Sequence, residues 1–245
     1  MKRLTAVRMA VQAVFFAIFI SSFLAAMNYS KGLVAPGVLF RFDPLIIIAS
    51  TLSGLLTTPG VIVSASMLAL TFVFGRFFCG WMCPLGAMID AAAFAARRKN
   101  DARVPFAALA RSVKYAVLAA LAYVALSGGN RMLAADPLVM MSNLVTMNLA
   151  LPNIILLSAS VIPSVFIRRS WCRFFCPLGA LYSIPASMAL FRRKIGNKCA
   201  KGCEACSKTC RMGAIRKDAG YIKSECVLCM DCVYACPEHA TKFRF

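Results

Sequence analysis

Eight of the chain's cysteines lie from Cys199 onward, and their spacing is the strongest chemical signal in the sequence. The run Cys226-x2-Cys229-x2-Cys232-x3-Cys236-Pro237 places three thiolates on one tight loop to grip three irons of a cubane 4Fe-4S cluster, with the fourth thiolate reaching a neighbouring cluster. Upstream, Cys199-x3-Cys203-x2-Cys206-x3-Cys210 is nearly the same run, with one extra residue in its first gap and Arg211 where the other has proline. Read crosswise, one cluster takes Cys199, Cys203, Cys206 and Cys236, and the other takes Cys210, Cys226, Cys229 and Cys232. Four thiolates also suit zinc, but an unbroken x2, x2, x3 run differs from the separated pairs of a zinc knuckle.

The other four cysteines form a repeated Cys-x3-Cys-Pro: Cys79 and Cys83 before Pro84, and Cys172 and Cys176 before Pro177. Cysteines four apart on a helical turn project from one side, although proline disfavours the helical region for the residue before it. Three readings stay open. Four convergent thiolates hold a further iron-sulfur cluster or another metal; separate pairs work as redox dithiols; or all four are small buried residues without a redox role.

A second repeated element is Asp43-Pro44-Leu45 and Asp136-Pro137-Leu138. A carboxylate near a membrane interior is costly enough to be a functional candidate, here as proton acceptor from a quinol, whereas Asp-Pro also simply starts turns. Arg76 and Arg169 read as interfacial anchors, with stabilisation of nearby thiolates or clusters as the alternative.

These side chains need elements to position them. At 60% hydrophobic residues and a mean hydropathy of +0.74, the chain is too apolar for a soluble domain of 245 residues. Four stretches are long enough to cross a bilayer, at about 9–27, 56–78, 108–127 and 151–168. The first reads as a retained signal anchor. Two shorter apolar stretches, about 44–55 and 137–150, read as interfacial or re-entrant.

One offset of 93 residues (172 − 79) superposes both cysteine pairs, both Asp-Pro-Leu segments, and Arg76 on Arg169. The membrane part is therefore a parallel internal repeat with a pseudo-twofold axis along the bilayer normal. The expected architecture is an all-α bundle of four transmembrane helices over 1–195, with repeats of about 1–98 and 99–190. An α+β ferredoxin-like module follows over 196–245.

The net charge of +19 resides in short Lys/Arg clusters beside apolar stretches, the pattern of cytoplasmic loops rather than of a nucleic-acid surface. That places the N-terminus, the loop after the second span and the whole tail on the cytoplasmic side of a bacterial inner membrane, where thiols stay reduced. The single histidine, His239, reads as a surface residue of the tail. One histidine cannot form a bis-histidine haem, and no glycine-rich dinucleotide fingerprint is present.

Four helices, two Cys-x3-Cys-Pro motifs after the second and fourth of them, and a two-cluster tail resemble the NapH-type membrane quinol dehydrogenases of periplasmic nitrate reduction. The wider family includes NosR, MauN and CcoG. The resemblance covers essentially the whole chain. It implies electron transfer between the quinone pool and a periplasmic acceptor, with quinol as substrate and a NapG-like iron-sulfur or cytochrome partner leading to a terminal reductase. It also implicates Cys79, Cys83, Cys172, Cys176 and the eight tail cysteines as the functional ligands. A CcoG-like copper reductase or assembly factor, and a structural anchor for a partner enzyme, are the alternatives.

Overall fold

The computed structural model describes residues 2–27, 40–52, 58–95, 107–126, 136–147, 150–196, 203–215, 220–238 and 240–244. Cys199, His239, Lys31, Arg131 and the basic cluster Arg97, Arg98 and Lys99 lie outside the described residues.

The fold is mostly helical, and the 93-residue offset reappears in its elements. After α1 (Lys2–Met27), the first repeat runs through α2 (Pro44–Leu52), α3 (Thr58–Phe74), α4 (Phe77–Trp81) and α5 (Pro84–Ala95). After α6 (Ala107–Leu126), the second repeats the order in α7 (Pro137–Val145), α8 (Leu151–Phe166), α9 (Ser170–Phe174) and α10 (Pro177–Ala186). Proline opens α2, α5, α7 and α10, where its fixed φ suits the first turn and its missing N–H costs nothing.

Helices α1, α3, α6 and α8 fall where the four crossing segments are expected. Among the described residues one stretch, Ala6–Leu24, is by itself long and apolar enough to cross a membrane. Helices α3 and α8 have 17 and 16 residues, somewhat short of the roughly 20 that a perpendicular crossing takes. Helix α6 has 20 residues but carries Arg111 and Lys114 in its first turns. The short helices α2 and α7 lie inside the helical body, with Leu45, Leu138 and Met141 in the core.

The two repeats exchange packing partners. Helix α10 lies against α3 of the first repeat, and α5 lies against α8 of the second. Around this crossing sit Phe78, Leu85, Leu178 and Tyr182, with the Phe78 and Tyr182 rings 5.7 Å apart.

The tail is short helices and loops closed by a two-stranded antiparallel sheet, in which β1 (Arg192–Ile195) pairs with β2 (Thr241–Arg244) and Arg193 faces Phe243. Between the strands lie α11 (Ala205–Thr209), a 3-10 turn at Lys223–Glu225, and α12 (Asp231–Tyr234). Several contacts seat it on the helical body. Glu225 is 2% exposed and receives Arg76 at 3.0 Å and Lys114 on its other oxygen. Arg111 donates to Gly213 O at 2.6 Å, so the charges on α6 are spent on the tail. Another is steric: a Cβ on Gly80 would stand 2.1 Å from Val227 O, a separation that only glycine permits.

Arg76 and Arg169 are not interfacial anchors. They are 0% and 2% exposed and hydrogen-bonded inside the protein, because each guanidinium finds carboxylate and carbonyl acceptors there.

Removing one partner of a buried ion pair costs about 3–5 kcal/mol by leaving the other charge unpaired. Glu225→Gln should therefore loosen the tail from the helical body. Limited proteolysis should cleave the 216–224 region at least tenfold faster than in the wild type; equal rates would show that the tail is held without this pair.

Candidate functional site

In the tail, Cys210, Cys226, Cys229 and Cys232 line one small cavity. This is the set that the crossed reading assigns to a single cluster. The backbone turns left-handed at Leu228 (φ 51°) and Met230 (φ 60°), costing of order 1–3 kcal/mol each, and so wraps the loop around the cavity. Backbone amides point at the sulfurs: Leu228 N–H at Cys226, Asp231 N–H at Cys229, and Ala214 N–H at Cys210 over 3.3 Å. Such N–H···S bonds tune a cluster's potential.

Burial, then the neighbouring Asp231 and Cys210, push the Cys229 thiol up to about 12. A free thiol there stays protonated at neutral pH, whereas a coordinating thiol is deprotonated outright. Among the described residues no three Cys, His, Asp or Glu side chains close tightly enough around a point for a single metal ion. Zinc would need sulfurs at about 2.3 Å from one centre. Four thiolates around one cavity are the donor set that a cubane takes.

Of the other expected set, Cys203 and Cys206 lie at the start of α11 and Cys236 follows α12, which packs against α11. Cys206 Sγ lies 3.5 Å from Thr241 Oγ1, and Ala240 N–H donates to Cys236 Sγ over 3.3 Å. Their fourth partner, Cys199, is outside the described residues.

The two Cys-x3-Cys-Pro motifs meet in the core. Cys79, Cys83, Cys172 and Cys176 are 9%, 7%, 8% and 5% exposed and belong to one buried cluster. Each motif straddles a helix break rather than riding one helical turn. The first cysteine sits in a five-residue helix, α4 or α9, and the second precedes the proline that opens α5 or α10. Cys176 caps α10, its sulfur accepting from Gly179 N–H at 3.3 Å. Burial, ahead of the other cysteines, raises Cys176 well above the ordinary thiol range, and Cys172 rises to about 11. Reactive dithiols sit in partly exposed places, whereas these four thiols are enclosed.

Two arginines tie the motifs together reciprocally. Arg76 of the first repeat donates to Cys172 O at 3.5 Å, and Arg169 of the second donates to Cys79 O at 3.0 Å. A Cβ on Gly179 would stand 2.6 Å from Arg76 Nη2, so that glycine makes room for the crossing guanidinium. Arg169 also grips Asp90 with two bonds of 3.1 and 2.8 Å. Burial would raise the Asp90 carboxyl, but Arg169 and Arg211 outweigh it and hold it well below the usual range. The residue 93 positions after Asp90 is Ser183, so Arg76 lacks this carboxylate in its own surroundings, and Glu225 of the tail supplies one.

Asp43 and Asp136 also converge, each 0% exposed, and share a side-chain hydrogen bond. One oxygen of each caps its helix: Oδ1 accepts from Leu45 N–H and from Leu138 N–H, both at 2.8 Å. The second oxygens have no partner unless a proton lies between them. Burial, then the Asp136 charge, pushes Asp43 well up, and burial lifts Asp136 to about 6. Helix capping and a close carboxyl pair thus coexist in one arrangement.

Sequence reasoning missed Gly80, Asp90, Glu225 and Arg8. Asp90 and Glu225 carried a faint signal, since they are among only nine acidic residues. Gly80 carried a fainter one, as it occupies the position of Arg173 in the other motif.

Comparison with known proteins follows this layout. The family described as a 4Fe-4S binding domain matches twice, at residues 56–101 and 149–198, each match spanning one Cys-x3-Cys-Pro motif. The NosR family matches residues 197–241, the tail. Protein NirI of Paracoccus denitrificans is 33% identical over 181 residues, covering 70% of this chain and 26% of NirI. Regulatory protein NosR of Pseudomonas aeruginosa is 31% identical over 202 residues, covering 79% and 26%. Ferredoxin-type protein NapH of Escherichia coli is 27% identical over 217 residues, covering 86% and 65%. The chain thus spans about a quarter of the length of NirI and NosR. No solved structure matches it. With the 4Fe-4S binding domain in duplicate and NirI, NosR and NapH as homologues, the chain is an iron-sulfur protein and belongs to the NapH-type, NosR-like family.

Proposed function

We propose that the chain is a multi-pass subunit of a bacterial inner membrane, its tail and N-terminus on the cytoplasmic side, that oxidises quinol and passes electrons to an iron-sulfur or cytochrome partner of a respiratory reductase. The observation that carries this reading is the seating of the tail. The loop bearing Cys226 and Cys229 presses on the first motif: Val227 abuts Gly80, and Trp81 Nε1–H donates to Leu228 O at 3.1 Å. Two cysteine centres packed without a gap make a short electron path.

In this reading Cys210, Cys226, Cys229 and Cys232 hold one tail cluster, and Cys199, Cys203, Cys206 and Cys236 the other. Cys79, Cys83, Cys172 and Cys176 jointly hold a third centre between the repeats. A cubane takes up one electron at a time, so two centres accept the pair that a quinol releases together with two protons. The Asp43–Asp136 pair, holding one proton between two carboxyls, takes up one of these protons as the acceptor of that oxidation, and the other passes to water. Copper handover by the four motif cysteines would need access from solvent, which their burial denies.

Two outcomes test the reading. Anaerobically purified protein should contain roughly twelve irons per chain, four for each cubane. Cys226→Ser and the double variant Cys79→Ser, Cys176→Ser should each lose about four; an iron content indifferent to the second would remove the centre between the repeats. Cluster signals in electron paramagnetic resonance should appear on adding a reduced quinol analogue. Asp43→Asn and Asp136→Asn should keep the iron but slow that reduction about tenfold or more. Unchanged turnover would take the carboxyl pair out of the mechanism.

A further inference from the structure

A cavity of about 490 Å³ lies between α1 and α5. Its walls are apolar, with Met9 and Phe16 on one side and Met88 and Phe94 on the other. Its mouth opens outward, Met9 being 49% and Phe94 76% exposed. Its inner end is polar, formed by Arg8, Asp90 and Arg211.

Arg8 is the anomaly there. It is 1% exposed, yet none of its three guanidinium nitrogens has a hydrogen-bond partner among the described residues. Its ion pair with Asp231 spans 3.6 Å, beyond hydrogen-bond reach. Asp90 gives it no hydrogen bond either, its oxygens receiving Arg169 at 3.1 and 2.8 Å and Arg211 at 3.0 Å. A desolvated guanidinium with idle donors at the end of an apolar cavity calls for an oxygen acceptor on an otherwise apolar molecule.

We propose that this cavity binds the ring of a quinone, with Arg8 donating to a ring oxygen and the isoprenoid tail leaving between α1 and α5. The proposal rests on the quinol reading above and adds the place of binding. Asp90 and Asp231 there face Arg211 and Arg169 as well as Arg8, so the carboxylates are already matched by cations and a neutral ring oxygen suffices as the acceptor that Arg8 lacks. The site also adjoins the electron path on two sides. Gln12, one turn beyond Arg8, donates to Gly80 O at 2.9 Å, and Asp231 directly precedes Cys232.

The test is equilibrium binding of short-chain ubiquinone and menaquinone analogues to the whole cluster-loaded protein in lipid nanodiscs. Arg8→Gln should weaken binding of the preferred analogue at least tenfold with iron content unchanged, and Arg8→Lys should restore part of it. Ala91→Phe, which fills the cavity from its exposed wall without touching Arg8, should abolish binding. Wild-type affinity in both Arg8→Gln and Ala91→Phe would overturn the site while leaving the quinol reading intact. If the wild type binds neither analogue and its clusters ignore quinol, the quinol reading falls and this site with it. Loss of phosphatidylglycerol retention in Arg8→Gln, with quinone binding preserved, would overturn the proposal and give the cavity to a lipid headgroup.

Discussion

A guanidinium buried in an apolar helical body must find acceptors, and the arrangement of Arg76 and Arg169 follows from that requirement. Each lies just ahead of its own repeat's first cysteine and bonds to the carbonyl of the other repeat's first cysteine. The two halves cannot separate without stranding both charges, a cost of several kcal/mol apiece in a low dielectric. The convergence of the four motif cysteines, the absence of a side chain at Gly179, and the burial of Asp90 all serve this exchange. A lysine could carry the charge but could not span carboxylate and carbonyl together, because it lacks the planar fork of donors.

The pseudo-symmetry is broken where the tail docks. Asp90 neutralises Arg169 from within the first repeat, but the equivalent position holds Ser183, and the tail's Glu225 fills the role instead. Gly80 admits the Val227 backbone, whereas its counterpart Arg173 is 1% exposed and stacks on Phe174 at 4.9 Å. A symmetric pair of motifs would offer the tail two equivalent seats. These two departures leave one, with the cluster loop over the first motif.

Much of this was legible in the chain. The 93-residue offset foretold the duplicate order of elements; the meeting of Asp43 with Asp136 was not read from it, although identical segments related by an axis meet near it. The crossed reading of the tail grouped Cys210, Cys226, Cys229 and Cys232, and these four line one cavity. The roles of Arg76 and Arg169 were not legible: a basic residue at the end of an apolar stretch looks the same whether it faces lipid headgroups or a buried carboxylate. Nor was Glu225, whose partner Arg76 lies 149 residues away with no local pattern to connect them. Helical placement of the Cys-x3-Cys pairs gave way to a helix break because proline at Pro84 and Pro177 resets the chain immediately after the second cysteine.

The position of Glu225 also bears on the order in which the molecule can be made. A chain emerging from the ribosome presents Arg76, then Lys114, then the second motif, and only afterwards the carboxylate that neutralises the first two. Until then the half-built protein carries two uncompensated cations in the region where its cysteine motifs must come together. Closure of that region is thereby postponed until the tail has been made, and the motif cysteines stay open in the meantime.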